Sequence, residues 1–388
     1  MKLETEVDQH VSTSHDVVLR ARNVTVEYGG EMPTRAVRNV SIDLRRGEIL
    51  GIAGESGCGK STLAFALTRL LRPPATMVGG TVEFLPSSGG APIDLMALGP
   101  RELRAFRWSK ISMVFQAAMN SLNPVTSLRR QFSDMFLAHD PSMTSDECEQ
   151  RSCELLEMVG IKSERLNGFA FELSGGMRQR VGIAMALALR PEVVIMDEPT
   201  TALDVVVQRD ILEEIFGIRE QLGFSIIFIT HDLPMLVEVS DRLAIMYAGE
   251  IVETAPSTLI GDDPAHPYTM GLQNSCPDLR GERAPLVGIP GSPPDLRFRI
   301  KGCSFAPRCA FAFAPCHEVH PLLTTPMGSV RGVVDAGNPS LVKIRPSSVD
   351  RLAVDEWRVA CHLHDALPSE AEMSHDSEEV AVTGVERS

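Results

Sequence analysis

The sequence predicts an α/β fold built on a mostly parallel sheet. Strand-like and helical runs alternate through most of the chain. A glycine-rich turn, Gly54-Glu-Ser-Gly-Cys-Gly59-Lys60-Ser61, joins a strand pattern to a helix pattern. Two apolar runs, VVIMDEPT (193–200) and SIIFITHD (225–232), end abruptly in polar residues, as strands buried on both faces do.

Taken in order, residues 1–16 read as a polar, flexible leader without the apolar core of a secretory signal. VVLRARNVTVEY, AVRNVSIDL and EILGIAG are strand-like runs separated by Gly-rich or charged turns. KSTLAFALTRLL (60–71) has helical apolar spacing. Residues 72–100, rich in Pro and Gly, predict a turn with short strands. Residues 101–107 predict a charged helix, KISMVFQ (110–116) a short strand, and 125–172 helices broken at HDPSMTSDE. A helix is expected over about 205–221, between the two apolar strands. Near residue 261 the texture turns Pro-rich and aperiodic, which predicts a linker and a small loop-rich appendage. Beyond about 366 the acidic tail lacks aromatics and reads as disordered.

The 388 residues carry 37 Lys+Arg against 51 Asp+Glu, a net charge of −14, which argues against a nucleic-acid coat. Hydrophobic residues make up 44%, enough for real cores, so global disorder is excluded. The longest apolar run, about Val181 to Leu189, falls short of the ~18 residues of a membrane-spanning helix.

The chemistry begins at the Gly-rich turn. Its pattern, G-x-x-x-x-G-K-S/T after a strand and before a helix, is a phosphate loop. Glycines let successive N–H groups point inward at phosphate oxygens, and the helix start adds positive partial charge. Lys60 brings a full charge, and the Ser61 hydroxyl can ligate Mg²⁺. Gly54, Ser56, Gly57, Cys58, Gly59, Lys60, Ser61 and Thr62 are therefore the candidate phosphate contacts. A helix start can favour the Cys58 thiolate, although the plainer reading is a small side chain inside the loop. The strand ending in Asp197 and Glu198 delivers two carboxylates to the sheet edge where α/β folds bind ligands. Asp197 suits Mg²⁺, and Glu198 can orient or deprotonate a water. Ser174-Gly175-Gly176, opening the helix MRQRVGIAMALAL, forms a second helix-start anion site.

With that turn in place the chain resembles the ATP-binding cassette (ABC) ATPases over about residues 17–270, with the helical subdomain at about 117–173. The resemblance implies an ABC-type nucleotide-binding domain: a RecA-like parallel core, an antiparallel β subdomain and a helical subdomain. It places Tyr28 where an aromatic stacks on adenine and Gln116 where a glutamine senses Mg²⁺ and the γ-phosphate. It places Thr201-Ala-Leu-Asp204 in the D-loop and His231 at the γ-phosphate switch. Met177 departs from the usual Gln of the signature but leaves the Ser-Gly-Gly turn intact. The implied mechanism is head-to-tail dimerisation. ATP lies between the phosphate loop of one subunit and the Ser174-Gly175-Gly176 turn of the other, with Lys60, Glu198 and His231 as the catalytic set.

DLMALGPRELRAFRWSKISMVFQ, SLNP, ITHDLPMLVEVSDRLAIMYAGEIVE, HPYT, IPGSPPDL and GCSFAPRC together resemble the ATPase subunits of oligopeptide/dipeptide/nickel importers. This implies an ATPase at the cytoplasmic membrane face, working with two membrane permease subunits, a related second ATPase chain and an extracytoplasmic solute-binding protein. Peptides are the expected cargo. Oligosaccharides or nickel chelates are the alternative, and a soluble, non-transport ABC ATPase is the rival class.

Cys303, Cys309, Cys316 and Cys361 fall in the extension over about 271–365. In a reducing compartment four such thiols read first as metal ligands. A 4Fe-4S cluster and tetrahedral Zn²⁺ are both compatible with four thiolates, as are free or disulfide-bonded cysteines. The wide C-x5-C and C-x6-C gaps fit the cubane better, and the family resemblance implies it. His317, His320, His362 and His364 are spare ligands nearby.

Overall fold

The computed structural model describes residues 17–116, 121–201, 203–275, 288–326, 329–332, 341–345, 356–364 and 380–383. The leader, most of the acidic tail, Cys276 and Ala202 lie outside the described residues.

Strands β1 (Val17–Tyr28) and β2 (Thr34–Arg45) form an antiparallel pair. β3 (Ile49–Ala53) follows, fully buried, and leads into helix α1 (Lys60–Leu67). β4 (Ala75–Phe84) and β5 (Ile93–Asp94) complete a four-stranded antiparallel sheet ordered β2-β1-β4-β5. The short strands expected over 72–100 are thus mainly one ten-residue strand, β4, held extended by its ladder to β1.

Helix α2 (Pro100–Phe106) and strand β6 (Ile111–Val114) precede the helical region of α3 (Leu128–His139) and α4 (Ser145–Met158). The break at HDPSMTSDE has a local cause. Thr144 and Glu147 close a capping box, with the Thr144 N–H donating to the Glu147 carboxylate at 2.7 Å, and this starts α4. Helix α5 (Gly175–Leu187), strand β7 (Val193–Asp197), helix α6 (Val205–Leu222), strand β8 (Ser225–Ile229), helix α7 (Leu233–Val239), strand β9 (Arg242–Tyr247) and strand β10 (Glu250–Pro256) build the central layer. Helices α8 (Ser257–Asp262), α9 (Pro267–Asn274) and α10 (Ala314–Glu318) come next, with β11 (Ser329–Gly332), β12 (Leu341–Arg345), β13 (Arg358–Val359) and β14 (Val380–Thr383).

The central sheet has seven strands in the order β13-β10-β9-β3-β8-β7-β6. The pairs β9–β3, β3–β8, β8–β7 and β7–β6 are parallel, while β10 joins antiparallel. β7 and β8 are buried throughout, which accounts for their unbroken apolar composition. No helix among the described residues is long and apolar enough to cross a membrane.

The C-terminal segment over 288–326 is mostly turns and loops, and it packs onto the main core. β13 forms the edge of the central sheet by pairing with β10. Phe305, Phe311, Trp357, Val359 and Leu363 belong to the same hydrophobic core as β7, α5 and the helical region. Its apolar residues are aperiodic in sequence because they pack from turns, so no helix or strand pattern advertises their burial.

Candidate active site

Four adjacent parallel strands, β3, β8, β7 and β6, deliver their carboxyl ends to one edge of the central sheet. β3 runs into the glycine-rich loop, β7 ends at Asp197, β8 leads to His231 and β6 to Gln116. Most of the candidate residues therefore meet at one place, for the topological reason that α/β sheets bind ligands at this edge.

The loop needs glycine at two points. Gly59 has φ +107°, and a Cβ there would lie 2.2 Å from the Ala36 carbonyl oxygen. At Gly54 a Cβ would lie 2.1 Å from the Met246 carbonyl oxygen. Lys60 is buried, and its Nζ donates to the carbonyls of Gly54 (2.7 Å) and Glu55 (2.9 Å). Cys58 is buried too, and burial pushes its thiol up while Lys60 opposes the rise.

Ser61 Oγ donates to Asp197 Oδ1 at 3.0 Å. Burial, the largest influence, raises the Asp197 carboxyl, Glu198 adds to this, and Ser61 and Lys60 oppose it. A hydroxyl and a buried carboxylate in contact form the hard oxygen donor set that suits Mg²⁺, whose arrival would favour the ionised carboxylate.

Three side chains converge on Glu198. Gln116 Nε2 donates to Oε2 at 3.1 Å, Thr201 Oγ1 donates to Oε2 at 2.9 Å, and His231 Nδ1 lies 3.3 Å from Oε1. Glu198 has φ +46°, an uncommon conformation for a non-glycine residue, and its N–H donates to the Ile229 carbonyl at 2.8 Å. Tyr28, at the end of β1, is held by its hydroxyl, 3.1 Å from Thr62 Oγ1. Thr201 as a direct partner of Glu198 was not apparent in the sequence, because the bond depends on the turn after β7.

Ser174, Gly175 and Gly176 open helix α5. Ser174 caps α5, its Oγ accepting from the Met177 N–H at 3.3 Å. Among the described residues no hydrogen bond or ion pair joins this turn to the phosphate loop. His231 is 64% exposed at its side chain, so the site is open on one side.

A sequence comparison decides the family. The chain is 44% identical over 314 residues to a probable peptide ABC transporter ATP-binding protein, y4tR, of Sinorhizobium fredii, covering 80% of this chain and 92% of that one. The chain belongs to the ABC transporter ATP-binding proteins. Residues 37–201 of this ABC ATPase match the ABC transporter family, and residues 252–316 match the oligopeptide/dipeptide transporter C-terminal region. It is also 44% identical to the oligopeptide transport ATP-binding protein OppD of Bacillus subtilis, over 76% of this chain and 81% of the relative. Among solved structures, the dimeric bacterial ABC transporter cassette MJ0796 aligns at a TM-score of 0.54 and 29% identity, covering 62% of this chain and 98% of that one. The same cassette is known as a post-hydrolysis dimer bound to ADP and Pi. The fold is thus the ABC nucleotide-binding fold, and the protein is an ATP-hydrolysing subunit.

In this ABC ATPase the four C-terminal cysteines line one small pocket with His266, Phe305, Phe311 and Leu363. The Cys303 N–H donates to the Cys316 carbonyl at 2.8 Å, and Gly302 lets these segments close up, since a Cβ there would lie 2.3 Å from that oxygen. Burial pushes Cys309 up to about 12 and Cys361 well above its usual range, with neighbouring thiols contributing to both. The expected ready-made metal centre is not found. Among the described residues no group of three or more His, Cys, Asp or Glu side chains is arranged to hold a metal ion. The apolar pocket favours protonated thiols over the thiolates that bind metals. Three of the four spare histidines have other partners: His320 faces Gly302 and Glu250, His362 the Val319 carbonyl and His364 the Ala265 carbonyl.

One further contact was not foreseen. Arg308, between Cys303 and Cys309, grips the carboxylate of Glu55 inside the phosphate loop, and the Glu55 N–H donates to Tyr268 Oη at 2.8 Å. The available signal was an arginine embedded in the otherwise apolar GCSFAPRC.

Proposed function

We propose that this ABC ATPase powers import of peptides across a membrane, from its cytoplasmic face, through two separate permease subunits fed by a solute-binding protein. The curated relatives are named as peptide, oligopeptide or dipeptide transport ATP-binding proteins, and this supports the cargo class. The observation that carries the mechanism is the division of the site. Glu198, Gln116, Thr201 and His231 gather at one open edge, while the Ser174 turn, at the start of α5, shares no hydrogen bond with them among the described residues. Such a half-site calls for the turn of a companion cassette, a second copy or a related chain.

In this reading Tyr28 stacks on adenine. Lys60 leaves the Gly54 and Glu55 carbonyls for the β- and γ-phosphates. Ser61 and Asp197 hold Mg²⁺, which neutralises phosphate charge. Glu198, aimed by Gln116 and Thr201, takes a proton from the attacking water. His231 donates to the γ-phosphate, and the partner's signature turn closes over it from the other side. Gly54, Ser56, Gly57, Cys58, Gly59 and Thr62 supply the backbone cradle and its support. Exposed Val125 and Phe171, near the helical region, offer apolar surface to a permease segment. The test is Ser174→Arg in the assembled transporter. It should leave ATP binding by the isolated chain intact, abolish ATP-driven closure and stop peptide-stimulated turnover. Undiminished turnover rejects the shared site, and stimulation by a sugar or nickel chelate instead of peptide rejects the cargo.

A second reading concerns the cysteine pocket. Four soft thiols around one cavity support a 4Fe-4S cluster on Cys303, Cys309, Cys316 and Cys361, with Zn²⁺ as the alternative. The thiols would have to lose their protons and close in on it. Such a centre would staple the extension. A brown protein with stoichiometric iron after anaerobic purification supports the cluster, and a colourless, zinc-rich protein rejects it.

A further inference from the structure

Arg308 is a charged residue buried to 5% side-chain exposure. Its guanidinium forms a two-pronged pair with Glu55, Nη1 to Oε2 at 2.6 Å and Nη2 to Oε1 at 2.9 Å. Nε donates to the Pro290 carbonyl at 2.8 Å, and the group lies 5.8 Å from the centre of the Tyr247 ring. These partners satisfy the planar fork geometry that distinguishes arginine from lysine. The Glu55 backbone is held as well, by the hydroxyl of fully buried Tyr268, whose ring packs 4.5 Å from Tyr247 and 5.4 Å from Phe305. The second residue of the phosphate loop is therefore clamped through both backbone and side chain by residues more than 200 positions downstream.

Glu55 sits at an awkward place for a carboxylate. Its own backbone carbonyl accepts from Lys60 Nζ at 2.9 Å, and its carboxylate belongs to the loop assigned to the phosphates. A free carboxylate there would repel an incoming triphosphate and compete for Lys60. Arg308 neutralises that charge and fixes the residue whose shape aims the loop.

We propose that Arg308 is a positioning residue of the ATP site: through Glu55 it holds the phosphate loop in its nucleotide-binding shape, so that the C-terminal segment sets the affinity for ATP. This rests on the assignment of residues 54–61 as the phosphate site.

The test uses the full-length chain, with binding of a fluorescent ATP analogue and steady-state Mg-ATP turnover. Arg308→Gln should raise KM for ATP and the analogue's Kd about tenfold, equivalent to ~1.4 kcal/mol, while kcat stays within about threefold. The double variant Glu55→Gln/Arg308→Gln removes the charges together and should recover most of the lost affinity. Arg308→Lys keeps the charge without the fork, so it should show a smaller KM rise at full kcat. It also keeps the test open if Arg308→Gln fails to fold. A folded Arg308→Gln or Arg308→Lys with unchanged KM overturns the proposal. So does a double variant as impaired as the single one, with kcat and melting temperature falling in parallel, because that pattern marks simple packing. Lys60→Ala separates the two assignments. If it binds the analogue normally, the phosphate-site reading itself fails. If it loses binding while the Arg308 variants keep theirs, only the positioning role fails.

Discussion

The indole N–H of Trp357 donates to Glu253 Oε1 at 2.8 Å, although the two residues are 104 positions apart in the chain. Glu253, fully buried on β10, also accepts the N–H groups of Ala265 (2.7 Å) and His266 (3.0 Å). Burial raises its carboxyl, and these bonds oppose the rise. One side chain thus ties the central sheet, the start of α9 and the C-terminal segment together. Trp357→Phe removes one donor from a buried acceptor and should cost about 1–3 kcal/mol. Trp357→Ala adds a cavity and should cost about 3–5 kcal/mol. Urea denaturation of the full chain checks both. Equal midpoints for the wild type and Trp357→Phe would show that the bond contributes nothing.

Glu198→Gln should bind Mg-ATP with near-native affinity and lose turnover by about two to four orders of magnitude, as expected for removal of a general base. Single-turnover phosphate release measures this. Thr201→Val loosens the same carboxylate without removing it, so its loss should be smaller, about tenfold. Full activity in Glu198→Gln would exclude Glu198 as the base.

Gly59→Ala should disable the loop and leave the fold nearly intact. The new Cβ would meet the Ala36 carbonyl, and φ +107° is strained for any side chain, at ~1–3 kcal/mol. ATP affinity should fall at least tenfold in a protein whose circular dichroism is unchanged. Native affinity would mean that the loop relaxes around the methyl group.

Acid should weaken the protein through His266. Burial drives this histidine from 6.5 down to about 3. Its Nδ1 accepts the Tyr268 N–H at 3.0 Å, which a proton at that nitrogen would forbid. The unfolded chain takes up its proton first, so this contribution is whole above pH 6.5 and is lost as pH falls towards 3. The slope reaches ~1.4 kcal/mol per pH unit. His266→Gln should flatten the acid limb of a stability–pH curve between pH 6 and 4. An unchanged slope would place the titration elsewhere.

Local chemistry was readable from residue order. A phosphate loop needs its glycines, lysine and serine within eight consecutive positions, so Gly54 to Ser61 declare themselves. Buried parallel strands must be apolar and stop where they meet solvent, so β7 and β8 and the carboxylates after β7 were legible too. The helix start at Ser174 was legible because caps act within four residues.

What residue order alone determined about this protein, then, is the set of short-range devices: the loop, the alternating elements, the caps and the carboxylates beside them. Tertiary structure decided the rest. It brought Thr201 and Gln116 to the same oxygen of Glu198, returned β13 to the edge of the central sheet, and seated Arg308 on Glu55 from 253 positions away. It also put the four C-terminal cysteines around one apolar pocket without arranging them as metal ligands. The physical reason is range. Periodicity and capping act over a few residues, whereas a salt bridge or ladder between distant segments follows from how a whole core packs, and no local pattern encodes that.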